Sequence, residues 1–262
     1  MSSTVAAAAF GDHPGRWPLP RARTSQDLWL RAVAAGGQGR YAAARADLSE
    51  LIDSGPPGRL RSLALSTWAS FLRQLGWHWR AHDWDGRAWA TAGGDPEAGV
   101  DALIGLAADA LGVGRLAVSA ALLHRATALA QDVELPRLPI RLAWVRAELA
   151  MAAGDGGSAI RHARQGAELA QAALPALRRH RVKSDVVLAA ALCAAGDRSG
   201  ARTVADAALA GTEIHGLVPL RWAVACLLSD IGSPSRAPAE IAALRDLSAH
   251  VVTRHGGEWK LR

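Results

Sequence analysis

Cysteine is nearly missing from this chain: Cys193 and Cys226 are the only two, and each sits in an Ala/Leu-rich helical pattern. Two cysteines cannot staple a small scaffold, and no CxxC pair offers half of a zinc site. This usage suits a reducing, cytoplasmic setting. Tyrosine occurs once and phenylalanine twice. With few β-branched runs, the chain is poor in strand formers. No apolar run approaches the ~18 residues of a membrane-spanning helix. The opening residues, MSSTVAAAAFGDHP, have no basic flank and too short an apolar stretch for a secretory signal. Neither GxSxG, HExxH nor a Walker A sequence occurs, and GVGRLAVSA at 112–120 has no strand before it to make it a nucleotide loop. The expectation is a non-enzymatic protein with no cofactor, no catalytic residue and no membrane partner.

Alanine and arginine are what the chain has in quantity. Alanine, leucine, arginine and glutamate are strong helix formers, so the composition points to an all-α fold. Half of the 262 residues are apolar, enough for a substantial core. The net charge is +6, carried almost wholly by arginine; Lys183 and Lys260 are the only lysines. Arginine is spread along the chain rather than blocked, which fits a solvated surface as well as an acidic partner.

Six glycines, Gly37, Gly76, Gly112, Gly154, Gly196 and Gly232, interrupt helical patterns at intervals of 39, 36, 42, 42 and 36 residues. Seven residues before the last five stand Ala69, Gly105, Ala147, Ala189 and Ala225. Five residues after them stand Ala81, Ala117, Ala159, Ala201 and Ala237. Gly37 follows half the rule, with Ala42 after it but Leu30 before it. Two helices joined by a tight turn approach closely only if small residues line the contact, and glycine ends the first helix where φ is positive. A single hairpin cannot bury its own apolar face, so hairpins must stack. Pro- and Gly-bearing links at 54–58, 93–97, 134–139 and Pro175 fall where one hairpin hands over to the next. This divides the chain into a flexible N-terminal arm (1–24), a helical-repeat domain (25–254) and a loose tail (255–262).

The spacing resembles the tetratricopeptide-repeat family. The closest copies are AAGDGGSAI, with Gly154, Asp155, Ala159 and Ile160, and AAGDRSGA, with Gly196, Asp197 and Ala201. The resemblance covers roughly 25–254 and implies a right-handed α-solenoid of about six hairpins. It departs from the family in its longer intervals, against ~34 residues, in Ala or Leu at the large aromatic positions, and in the Ser/Pro-rich turn SPSRAP of the sixth hairpin. It also implies a concave groove lined by residues thirteen, ten, six and three before each glycine. Those are Leu63, Ser66, Ser70 and Arg73; Arg141, Trp144, Glu148 and Met151; Lys183, Val186, Ala190 and Cys193; and Pro219, Trp222, Cys226 and Ser229. Arg73, Arg141 and Lys183 would clamp a carboxylate, with Glu148 beside them, and Trp144 and Trp222 would take an apolar anchor.

Three further groups are candidates for function. Trp68, Trp77, Trp79, Trp84 and Trp89 fall within 22 residues. Trp77, Ala81, Trp84 and Ala88 form one apolar stripe; Trp79 lies off it and Trp89 at its margin, as a surface patch would. His78, His82 and Asp85 share a helix row with metal-ligand spacing, but a polar face explains them equally well, and no metal is expected. Arg178, Arg179, His180, Arg181 and Lys183 open a helix at its positive end, an unfavourable placement that hints at an acidic partner. They have no aromatic neighbour in sequence, so nucleic acid is not expected. The leading expectation is a scaffold or adaptor holding a protein or peptide segment, acidic by charge complementarity, in the groove. A ligand- or peptide-sensing regulatory module is the alternative, and self-association through the tryptophans stays open.

Overall fold

A computed structural model describes residues 3–54 and 58–260, apart from the side chains of Ser3 and Asp132. The central residues of the 54–58 link, like 1–2 and 261–262, lie outside the described residues. All regular structure among the described residues is helical: thirteen α-helices and one 3-10 turn, Ala130–Asp132. Helix α1 is Ser3–Phe10. Then come α2 (Ser25–Gly37) with α3 (Tyr41–Ser54), α4 (Arg59–Gln74) with α5 (His78–Thr91), and α6 (Pro96–Gly112) with α7 (Leu116–Leu129). They are followed by α8 (Arg137–Ala152) with α9 (Gly156–Ala172), α10 (Arg178–Ala194) with α11 (Arg198–Ile214), and α12 (Val218–Ile231) with α13 (Pro238–Arg254). Each helix packs on the next in chain order, and the first helices of successive pairs also pack on one another. No helix among the described residues is long and apolar enough to cross a membrane.

The turns explain the glycines. Gly39, Gly76, Gly114, Gly154 and Gly196 have φ between 77° and 91°. In each case the following N–H donates to a carbonyl five residues back, as in Arg40 to Ala35 (2.9 Å) and Asp197 to Leu192 (2.9 Å). That closes the first helix with a Schellman bond. In the Gly154–Asp155 and Gly196–Asp197 turns the aspartate then opens the second helix, accepting from the N–H of Ser158 and Gly200 at 2.9 Å. Gly37 and Gly112, expected to be turn residues, are instead the last helical residues of α2 and α6. The left-handed residue comes two positions later, at Gly39 and Gly114. With that correction the residue seven before each turn glycine is alanine throughout: Ala32, Ala69, Ala107, Ala147, Ala189 and Ala225, each fully buried. Five after them, Ala44, Ala81, Ser119, Ala159 and Ala201 are equally buried, whereas Ala42 and Ala117 are exposed. Ala237 breaks the pattern because the longer Gly232–Ala237 connection makes it the exposed first residue before α13.

The two ends differ from what composition suggests. Val5, Ala8 and Ala9 of α1 are buried, and Phe10 packs on Trp29 with ring centroids 5.4 Å apart. The arm continues along the protein: the Gln38 amide donates to the carbonyls of Pro14 (2.9 Å) and Arg16 (3.0 Å), and the Arg178 N–H donates to Gly11. The tail is anchored too. Trp259 lies on Trp222 (4.2 Å), the Trp77 indole N–H donates to Glu258, and the Lys260 N–H donates to Leu75. Arg45 reaches Gly256 at 2.7 Å, and Gly39 abuts Pro219 and Val252. The last helical pair therefore meets the first two.

Candidate functional site

The first helices of all six pairs surround a cavity of about 360 Å³. Its wall takes Trp29 and Val33 from α2, Ser66, Ser70 and Arg73 from α4, and Asp101, Ile104, Ala108 and Leu111 from α6. Arg137, Arg141, Trp144 and Glu148 follow from α8, Arg179, His180 and Lys183 from α10, and Pro219 from α12. Phe10 at the end of α1 also lines it. With the corrected glycines, most of these residues stand thirteen, ten, six or three before a turn. The lining drifts along the array, from the C-terminal half of α4 to the N-terminal turns of α10 and α12. Positions near the ends of those last helices therefore do not reach the cavity.

Two ionic networks brace the wall. Arg137 bridges Asp101 (2.9 Å) and Glu97 (2.7 Å), Glu97 also binds Arg59 at 2.5 Å, and Asp101 also pairs with Arg141. Arg73 pairs with Asp109 at 2.9 Å and with Asp85, whose other oxygen accepts from Ser66 at 2.6 Å. Asp85 is fully buried in α5, nine residues after its turn glycine. The other pairs place Leu48, Leu123, Ala163, Ala205 and Ile241 there, all buried and apolar. Burial opposes the charge of Arg73, but Asp85 and Asp109 outweigh it and raise its pKa. Burial lifts Asp109 to about 7 against the pull of Arg73, and its second oxygen has no partner.

The α10 face of the cavity is different. The Arg179 guanidinium donates to the Val33 carbonyl (2.8 Å), and the Lys183 ammonium lies 4.7 Å from the Trp144 ring centre. Neither forms an ion pair with a carboxylate among the described residues. Burial lowers Arg179 to about 10 and lowers Lys183, with Glu148 pulling Lys183 the other way. His180 stacks on Trp144 at 5.4 Å, is 3% exposed, and its Nδ1 has no hydrogen-bond partner. Burial, then Arg179, push its pKa well below 6.5, so it is neutral.

Of the residues singled out from sequence, Arg73, Arg141, Trp144, Glu148 and Lys183 come together around this cavity. Trp222 does not join them; it is held against Trp259 of the tail. Trp144 is buried, with its N–H donating to Ser184 at 2.8 Å. Trp79 and Trp89 are 52% and 40% exposed, with the Arg80 and Arg125 guanidiniums over their rings. Trp84 stacks on Trp68 at 4.7 Å. His78, His82 and Asp85 do not converge: His82 is exposed, His78 packs on Gly112, and Asp85 is taken by Arg73. Sequence reading missed Phe10, Arg137, Asp101, Arg179 and His180 as wall residues. One signal was available: Arg59, Glu97, Arg137 and Arg179 each stand seventeen before a turn glycine, so opposite charges recur at repeat spacing.

No protein-family model matches this chain, and no curated protein matches it in sequence.

Proposed function

We propose that this chain is a non-enzymatic, cytoplasmic, tetratricopeptide-like, right-handed α-solenoid of about six hairpins that binds a small guest in its central cavity. It would then act as a ligand-sensing module. The observation that supports this is the cavity itself, with every first helix contributing to its wall. Its 360 Å³ falls within the range of small-molecule sites, which run from about 300 to 1,000 Å³. Two turns of a partner helix, at a diameter of ~10 Å, would need roughly 850 Å³. Phe10 also lines this wall, where a partner segment in an open groove would have to lie. The wall combines apolar surface (Trp29, Ile104, Trp144) with a few oriented polar groups, the mixture that fixes a ligand's pose.

Native mass spectrometry of the full chain purified from its host tests this reading. A mass excess that disappears on denaturation, and is absent from Ala108→Phe, is expected. Equal native and denatured masses, together with no uptake of any small anion or alcohol on titration, would remove the proposal.

A second reading rests on a separate observation. Trp79 and Trp89 of α5 expose large indoles beside Arg80 and, from α7, Arg125, the composition of an interface anchor. An adaptor role through this outer face, rather than the groove, predicts that Trp79→Ala plus Trp89→Ala abolishes capture of a partner protein while leaving the native mass excess unchanged.

A further inference from the structure

Helical geometry divides the basic run that opens α10. Arg181 turns outward and caps the carbonyls of Ala170 (3.1 Å) and Gln171 (2.7 Å). Arg179, His180 and Lys183, at i, i+1 and i+4, turn into the cavity. Elsewhere in the wall each buried arginine is matched: Arg73 with Asp85 and Asp109, Arg137 with Glu97 and Asp101, Arg141 with Asp101. Among the described residues Arg179 and Lys183 have no such carboxylate, and the nearby Glu148 forms no ion pair. A cation largely withdrawn from water without a counter-charge is costly, so its retention needs a reason. The neutral His180 adds an unpartnered polar atom, Nδ1, at the same place. These groups converge on two aromatic rings. His180 and Lys183 lie 5.4 Å and 4.7 Å from the Trp144 centre, and His180 and Arg179 lie 6.1 Å and 5.8 Å from the Phe10 centre.

We propose that the guest is a small organic anion. Its carboxylate or phosphate head is bound by Arg179, His180 and Lys183, and its apolar body lies against Trp144 and Phe10. This rests on the cavity-binding reading and adds the ligand's chemistry to it. The head supplies the missing counter-charge through charge-assisted hydrogen bonds, and the rings exclude water from them. Carboxylate and phosphate share this recognition.

The test titrates the intact chain with phenylacetate, phenyl phosphate and the neutral 2-phenylethanol, followed by calorimetry and tryptophan fluorescence. At least one anion should bind saturably, at least tenfold more tightly than the alcohol and more weakly as salt rises. Preference between the two anions assigns the head. Lys183→Gln should weaken anion binding tenfold or more, and Arg161→Gln on the exposed face of α9 should not. Because Lys183→Gln removes a buried cation, the free variant should melt no lower than the wild type, which keeps a folding failure from imitating the result. Alcohol binding as tight as anion binding, or an unchanged Kd in Lys183→Gln, overturns the proposal. So does a host-purified protein carrying a neutral guest, which would leave the cavity reading intact. Host-purified protein with no guest, together with no binding of any probe, would sink both.

Discussion

Asp109 makes stability fall with pH where most proteins are flat. Its side chain is 1% exposed, one oxygen is held by Arg73 at 2.9 Å, and the other is orphaned. Burial raises its pKa from 3.8 to about 7, so the folded chain keeps a proton that the unfolded chain has lost. The stabilisation is complete below pH 3.8 and is lost as pH rises through 7. Integrating the difference from pH 5 to 8 gives a loss of roughly 2–3 kcal/mol. Histidines oppose this slope. His78, His162, His180, His215 and His255 all have lowered pKa values, led by burial, so they lose stability as pH falls below 6.5. The raw profile therefore mixes two trends, and the informative quantity is the difference between wild type and Asp109→Asn. Asparagine imitates the protonated carboxyl and keeps an acceptor for Arg73. The variant should lie close to wild type at pH 5 and be more stable at pH 8 by about the same 2–3 kcal/mol. Urea denaturation at pH 5, 6, 7 and 8 reads it. A difference curve that is flat, or that favours wild type increasingly toward pH 8, would refute the assignment of the proton to Asp109.

Four further outcomes are expected. Gly154→Ala should cost about 1 kcal/mol, since φ is 77° and nothing else crowds the new methyl. Gly86→Ala, in α5 with equally open space, should gain about 0.5–1 kcal/mol, and paired thermal melts compare the two. Ala107→Leu forces a large side chain into the α6–α7 contact, where the alanine is fully buried, and should destabilise by about 1–3 kcal/mol in urea melts. Ser184→Ala strands the Trp144 N–H and should cost about 1–3 kcal/mol, with a change in tryptophan emission.

Much of the fold was legible because close packing of two helices leaves a periodic mark. Alanines seven before each turn cannot be replaced by anything larger, and that constraint is visible in one sequence. The register slipped by two at Gly37 and Gly112 because glycine occurs on both sides of each helix end there, and only φ tells them apart. Helix α1 was illegible for a different reason. Eight residues ahead of Gly11 are too short to hold a helix alone, and what holds it is burial against α2. The tail likewise reads as loose until Trp222 and the α4–α5 turn are placed beside it. In the wall, Arg73, Arg141, Trp144, Glu148 and Lys183 were found by position in the repeat. Arg179 and His180 were noticed as charge but given no direction, since a helix face can be assigned only once its neighbours are known. Asp85 is a charged residue where five other pairs are apolar, a mismatch visible once the pairs are aligned.

The anchoring of the tail has a consequence for how the protein comes apart. In an open array of hairpins each pair leans only on its neighbours, so terminal pairs fray first and melting spreads inward. Here the hydrogen bond from Arg45 to Gly256 spans 211 residues, and Lys260 is bonded to Leu75. Neither terminal pair can loosen without breaking contacts to the other end of the chain. Unfolding should then proceed as one cooperative event, and the amides of α2 and α13 should exchange with solvent about as slowly as those of the central helices.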